Sequence, residues 1–253
     1  MPVVLPAEVV PDPDSQGARP RLLLIAPPGS YRTAAYLQTA RDLGVDVLVA
    51  SEGRHSLVGE IAAGLHVDLH RPEALQVLLQ ANQARPFSGV VATDDASVEL
   101  ASRIAAALQL PHNPPHAAKL SRRKDLSRQA LQQAGVPVPA FRIVDLDAPL
   151  AAQLQSIEFP CVIKPLAMSA SRGVIRADNP AAAEEACLRV QALLREAAGK
   201  DPFADSHVLV EQFVAGPEVA LEGLLQQGRL KVLAIFDKPD PLDGPYFEET
   251  YYT

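Results

Sequence analysis

Residues 159–174 read FPCVIKPLAMSASRGV, an apolar run that ends on Lys164, a loop of small side chains, then Arg172, Gly173 and a return to Val174. A short run such as Cys161-Val162-Ile163, bounded by prolines, suits a buried strand. The small side chains that follow let backbone N–H groups come close to anionic oxygens, and a strand-end lysine adds a compact positive charge. Lys164, Ser169, Ala170, Ser171, Arg172 and Gly173 are therefore candidate phosphate-binding residues. The same letters also describe an ordinary β-hairpin loop with an exposed lysine and arginine.

Two other stretches carry chemistry. Downstream, residues 208–218 read VLVEQFVAGPE, in which Glu211 and Glu218 interrupt apolar sequence and can each accept hydrogen bonds. Two strands joined at Gly216-Pro217 with both glutamates in water would give the same pattern. Upstream, residues 124–139 read KDLSRQALQQAGVPVP, with Leu126, Ala130, Leu131 and Ala134 as a helical packing face. Lys124 lies near the start of that helix, where the backbone dipole disfavours a cation unless an anion is near. Arg122, Arg123 and Arg128 read as solvated charges.

Further outward, residues 21–115 repeat a strand–helix alternation. Leu22-Leu23-Leu24-Ile25 is a buried-strand run, and helical spacing from Thr33 takes in Tyr36, Leu37, Ala40 and Leu43 before Gly44 stops it. Strands near residues 45–49 and 88–92 follow, separated by a helix from Pro72. Asp94 or Asp95 is expected to cap a helix bearing Val98, Ala101, Ile104, Ala105 and Leu108. The pattern predicts a doubly wound parallel α/β sheet. After it the spacing predicts one basic helix over 121–134, a strand at 141–144, a short helix near 150–155 and a strand within 159–165 that ends in a lysine. A long alanine-rich helix from Pro180 and strands at 207–213, 218–225 and 230–236 complete an α+β part with antiparallel pairing. Residues 1–20, with their many prolines, read as a mobile leader.

A formal charge of −7 with dispersed basic residues argues against nucleic acid as a partner, and no apolar run has the length of a membrane span. Cys161 and Cys187 lack metal-ligand spacing and read as reduced thiols of a cytoplasmic protein. Neither GxxxxGK[ST] nor a GxGxxG after the first strand occurs, which disfavours P-loop and dinucleotide-binding folds.

Taken in order, the three stretches resemble the ATP-grasp superfamily, in particular biotin carboxylase, the ATP domains of carbamoyl-phosphate synthetase and the L-amino acid ligases. The resemblance implies a pre-ATP-grasp domain over 21–115, a small ATP-grasp subdomain with a phosphate lid over 116–202, and an incomplete second subdomain over 203–253. It implies ATP and Mg²⁺ as cofactors. Lys124 and Lys164 would contact phosphates, and Ser169, Ala170, Ser171, Arg172 and Gly173 would form the lid. Glu211 would meet the adenine amino group, Gln212, Phe213 and Val214 would line the hinge, and Glu218 would hold the ribose. Ala167, Ser169 and Ala170 stand where relatives often carry glycines.

Magnesium ligands are expected beyond Thr253, Glu248 and Glu249 being unconvincing substitutes, so a C-terminally truncated piece is expected. The implied activity is ATP-dependent activation of a carboxylate as an acyl phosphate for attack by an amine. Bicarbonate activation and a non-catalytic nucleotide-binding module are the alternatives. The implied partners are a small-molecule carboxylate and a nucleophile, with a homodimer as an option.

Overall fold

The computed structural model describes residues 19–28, 30–52, 63–197, 201–240, 243–247 and 252–253. The expected leader and Glu248-Glu249 fall outside them, apart from Arg19 and Pro20. The chain divides into two compact units, Met1–Ala118 and Lys119–Thr253.

The first unit contains β1 (Arg21–Ile25), α1 (Thr33–Asp42), β2 (Asp46–Ser51), β3 (Ala63–His66), α2 (Ala74–Ala84), β4 (Gly89–Ala92) and α3 (Val98–Ala107). Its strands are all parallel, in the order β3-β2-β1-β4. Alternation along central β1 explains the unbroken apolar run. Leu23 and Ile25 join a cluster with Leu48, Leu78 and Ile104, whereas Leu24 and Ala26 join Leu37 and Val49 in another. Both faces of the sheet are covered, as the doubly wound reading requires.

Two details differ from expectation. On α1, Leu37 and Ala40 are buried, but Tyr36 and Leu43 are 40% and 72% exposed, so the buried stripe is narrower than the spacing allowed. Helix α3 starts at Val98 with no side-chain cap. Asp94 instead accepts the Ala96 N–H at 3.0 Å and the Ser97 hydroxyl at 3.2 Å, closing a turn ahead of the helix.

The expected single basic helix is two, α4 (Pro115–Arg122) and α5 (Lys124–Gln133). Arg123 between them is extended (φ −103°, ψ 106°). It is buried, with Nε and Nη2 donating to the two Asp125 oxygens at 2.9 and 2.8 Å and Nη1 donating to Asp201. Burial opposes its charge, but the hydrogen bonds and charges of both aspartates outweigh this and raise its pKa. Arg123 is thus a structural tie and no solvated charge.

Asp201 in turn accepts the Phe203 and Ala204 N–H groups at 3.1 and 3.2 Å, capping α8 (Pro202–Ser206). That turn carries the Asp-Pro start signal of a helix but is too short to show periodicity.

The second unit also holds β5 (Phe141–Asp145), α6 (Leu150–Leu154), β6 (Cys161–Pro165), β7 (Ile175–Ala177), α7 (Pro180–Ala197), β8 (His207–Gln212), β9 (Glu218–Gln226) and β10 (Arg229–Lys238). Its four-stranded sheet, β5-β8-β6-β7, is antiparallel throughout. One face (Val144, Cys161, Ile163, Val208, Val210) packs on Leu150 and Leu154 of α6 and on Ala183, Ala186, Cys187, Val190 and Leu194 of α7. Strands β9 and β10 form a separate hairpin turning at Gln227 (φ 51°) and Gly228 (φ 75°), the left-handed pair that a tight two-residue turn needs.

Cys161 and Cys187 are unpaired and fully buried in the same core, and burial pushes their pKa values to about 11 and about 12. We expect neither thiol to react with iodoacetamide at pH 7.5 in the native protein and both to react in denaturant. Mass spectrometry of the alkylated protein checks this; native labelling at either position would contradict the packing.

Candidate functional site

Residues opposite one another in an antiparallel pair share a face of the sheet. Val162 opposes Glu211, Lys164 opposes Leu209, and Phe141 and Ile143 of β5 oppose Glu211 and Leu209. These six therefore lie on the face turned away from α6 and α7. Leu209 packs there with Leu166, Ala204, Phe141 and Ile143, so the face is an apolar floor. Set into it are one anion and, diagonally across the strands, one lysine.

The Glu211 side chain is only 3% exposed. Lys164 Nζ donates to its Oε1, and Arg128, reaching over from α5, donates Nε to Oε2 at 2.8 Å and Nη2 to Oε1 at 3.3 Å. Burial disfavours the carboxylate, but the Arg128 hydrogen bond and the Lys164 charge outweigh it and hold its pKa below the usual range. The two cations keep part of their surface, with side-chain exposures of 22% for Lys164 and 27% for Arg128.

Lys124 joins the same end of the sheet. Its backbone N–H donates to Leu166 O at 3.0 Å and its ammonium to Met168 O. The first residue of α5 is thereby stitched to the segment that leaves Lys164. Residues 169–173 then form tight turns, with Arg172 N–H to Ser169 O at 3.3 Å and Val174 N–H to Ser171 O at 3.0 Å. Ala170, Ser171 and Gly173 are left-handed, with φ 55°, 52° and 74°. At Gly173 a side chain would also collide, its Cβ falling 2.8 Å from Pro165 Cγ and 2.9 Å from Leu193 Cδ2. This loop and Val174, Ile175, Tyr246 and Phe247 line an open cavity of about 1030 Å³.

In the hinge stretch, Gln212 and Phe213 use their N–H groups on Ala140 O (2.8 Å) and Pro160 O (3.0 Å), whereas the Val214 side chain is 69% exposed. Phe213 lies under the Arg176 guanidinium, 4.3 Å from ring centre to Cζ. Glu218 sits apart from the triad on the β9–β10 hairpin, opposite Lys238, whose Nζ donates to it at 2.6 Å. The two glutamates of one motif thus have unlike surroundings, one buried and one half exposed.

The ATP-grasp domain family matches residues 157–253, and the ATP-grasp N-terminal domain family matches residues 37–112. The chain belongs to the ATP-grasp superfamily. The L-amino acid ligase from Bacillus licheniformis superposes with a TM-score of 0.77 at 28% identity, covering 93% of this chain and 56% of that one. The ADP complex of purK, an N5-carboxyaminoimidazole ribonucleotide synthetase, has the same fold, with a TM-score of 0.65 at 16% identity over 88% of this chain and 55% of that one. The formate-dependent phosphoribosylglycinamide formyltransferase of Burkholderia thailandensis is 30% identical over 148 residues, 54% of this chain and 34% of that protein. The chain thus spans between a third and little more than half of these relatives.

Sequence reading missed Arg128. Its partner Glu211 lies 83 positions away, and nothing local distinguishes it from Arg122. The signal available was its place one helical turn after Lys124, on the same side of α5. Among the described residues no group of three His, Cys, Asp or Glu side chains could hold a metal ion.

Two measurements follow from this geometry. Glu211→Gln leaves two cations facing a neutral amide and is expected to cost about 3 kcal/mol at pH 7. Because the folded pKa is depressed, that stability is present above the ordinary carboxylate pKa and is lost as pH falls through the folded value. The gap between wild type and variant in urea melts should therefore narrow on acidification; a gap constant from pH 7 to pH 3 contradicts the buried pair. For the loop, Ala170→Gly and Ala167→Gly add the same freedom to the unfolded chain, but only Ala170 has a left-handed backbone. Ala170→Gly should be the more stable of the two by about 1–2 kcal/mol, and equal stabilities would exclude strain at Ala170.

Proposed function

We propose that this chain binds ATP at the edge of the sheet face that bears Glu211 and Lys164, as part of a ligase that activates a carboxylate for attack by an amine. The observation that carries the reading is the Lys164–Glu211–Arg128 group set in an apolar floor, with Lys124 tied to the same loop. An apolar surface with few convergent polar groups suits a flat heterocycle, and lysines at its edge suit a polyphosphate.

In this reading Lys124 and Lys164 contact the phosphates, and Ser169, Ala170, Ser171, Arg172 and Gly173 cover them. Glu211 accepts from the adenine amino group, with Gln212, Phe213 and Val214 along its edge. Since the Gln212 and Phe213 N–H groups are already bonded, their carbonyl oxygens and Val214 are left for the base. Glu218 takes the ribose hydroxyls, exchanging its contact with Lys238.

A carboxylate oxygen attacks the γ-phosphorus and ADP leaves; an amine then attacks the acyl carbon of the acyl phosphate, forming the C–N bond and expelling inorganic phosphate and a proton. The lysines neutralise charge that builds on the phosphoryl oxygens, and the lid excludes water. Mg²⁺, when bound, adds further charge neutralisation; the described residues offer it no ligand cluster, and no step is assigned to it. The 28% identity with an L-amino acid ligase favours an amine as acceptor over bicarbonate chemistry. The division of the second unit at residue 202 into a lid-bearing part and a following part belongs to the same reading. The unpaired buried cysteines fit a reducing cytoplasmic setting, and no described helix is long and apolar enough to cross a membrane. A homodimer is the assembly to test by light scattering.

Calorimetric titration with ATP tests the binding reading. Lys164→Ala is expected to weaken ATP at least about tenfold while Glu211 keeps Arg128 as its partner, so that the fold persists. Unchanged ATP affinity in Lys164→Ala would overturn the assignment. ADP release measured with amino acid pools against bicarbonate separates amine ligation from carboxylation, release being expected with amino acids.

A further inference from the structure

Arg128 is used by neither the proposed phosphate contacts nor the lid, yet it spends its fork on the Glu211 carboxylate that Lys164 also holds. With a single cation, Glu211 would form a closed, neutral pair and the Lys164 charge would be cancelled locally. With two, the three side chains carry one net positive charge. Glu211 is buried while both cations keep a quarter of their surface, so the excess charge lies on the outer side of the group.

The planar guanidinium also suits this task better than an ammonium. It reaches both carboxylate oxygens in a fixed fork, which leaves Lys164 on Oε1 alone, a single-point contact from which the ammonium can turn to another anion.

We infer that Arg128 is a positioning residue that neutralises Glu211 and thereby releases the charge of Lys164 for an anionic ligand, so that the phosphate affinity of the site is set from helix α5. The inference rests on the nucleotide reading and deepens it. Arg128 touches no reacting atom in this scheme; it acts through Glu211 on Lys164.

The test uses the full chain and two probes, ATP and adenosine, titrated calorimetrically, with thermal unfolding as the control for folding. The net charge of the group is +1 in wild type, 0 in Arg128→Gln, and +1 again when Arg128→Gln is combined with Glu211→Gln, whose amide oxygen still accepts from a base amino group. Arg128→Gln is expected to weaken ATP by roughly tenfold or more while adenosine changes little. The double variant should recover most of the ATP affinity, and Arg128→Lys, which keeps the charge without the fork, should retain part of it. A residue that merely supports the fold would weaken both probes alike, and the double variant would not recover; either result overturns the inference while leaving ATP binding by wild type intact. Wild type that binds neither probe overturns the nucleotide reading, and this inference falls with it.

Discussion

A carboxylate buried in the apolar face of a four-stranded sheet is the constraint around which the second unit is organised. Glu211 is flanked by Phe141 and Val162 across the strands, surroundings in which an unpaired charge costs several kcal/mol. It persists there because two cations from different elements meet it, one from β6 and one from α5. That need fixes the relation of α5 to the sheet more closely than apolar packing would, since a fork-to-carboxylate contact tolerates little sliding. The opposite face of the same sheet carries only core packing against α6 and α7. One face therefore carries core packing alone, and the other carries the buried Glu211 with its two cations and a smaller apolar cluster.

The second constraint is the pair of bonds by which Lys124 holds the segment after β6. Its backbone N–H reaches Leu166 and its ammonium reaches Met168, so the start of α5 is tied to the segment that leads into the 169–173 loop. A cation in the first turn of a helix opposes the dipole. A carbonyl partner offsets part of this cost, and an anion would offset more. The break at Arg123 has the same origin. Extended backbone there lets Arg123 clamp Asp125 and Asp201, and it leaves the Lys124 N–H pointing at the lid's base instead of into a continuous helix.

Legibility in the sequence followed the range of the interactions. Strand β1 and helix α7 are readable because burial imposes a local pattern of apolar residues. The order of the three stretches was enough to identify the superfamily. The roles of the arginines were not readable. Arg122, Arg123 and Arg128 are chemically identical, and the partners that set the second and third apart include Asp201 and Glu211, 78 and 83 positions away. For the same reason the single helix expected over 121–134 is two: the break serves contacts with Asp201 and Leu166, which no local pattern encodes. Tyr36 and Leu43 show the converse, an apolar period continuing past the edge of the surface that buries it.

The 169–173 loop presents the sharpest conflict between local preference and observed geometry. Glycine would be the unstrained residue at the two consecutive left-handed positions, yet alanine and serine occupy them, each at a cost of about 1–2 kcal/mol. Gly173 is different, since Pro165 and Leu193 leave no room for a side chain there. The loop is thus pinned at Gly173 by packing and at Met168 by the Lys124 ammonium, with the strain lying between these points. Glycine at either position would relieve that strain while widening the conformational freedom of the unfolded chain. The loop thus follows its path without a run of glycines, because anchors at both ends impose on small residues a backbone that they locally disfavour.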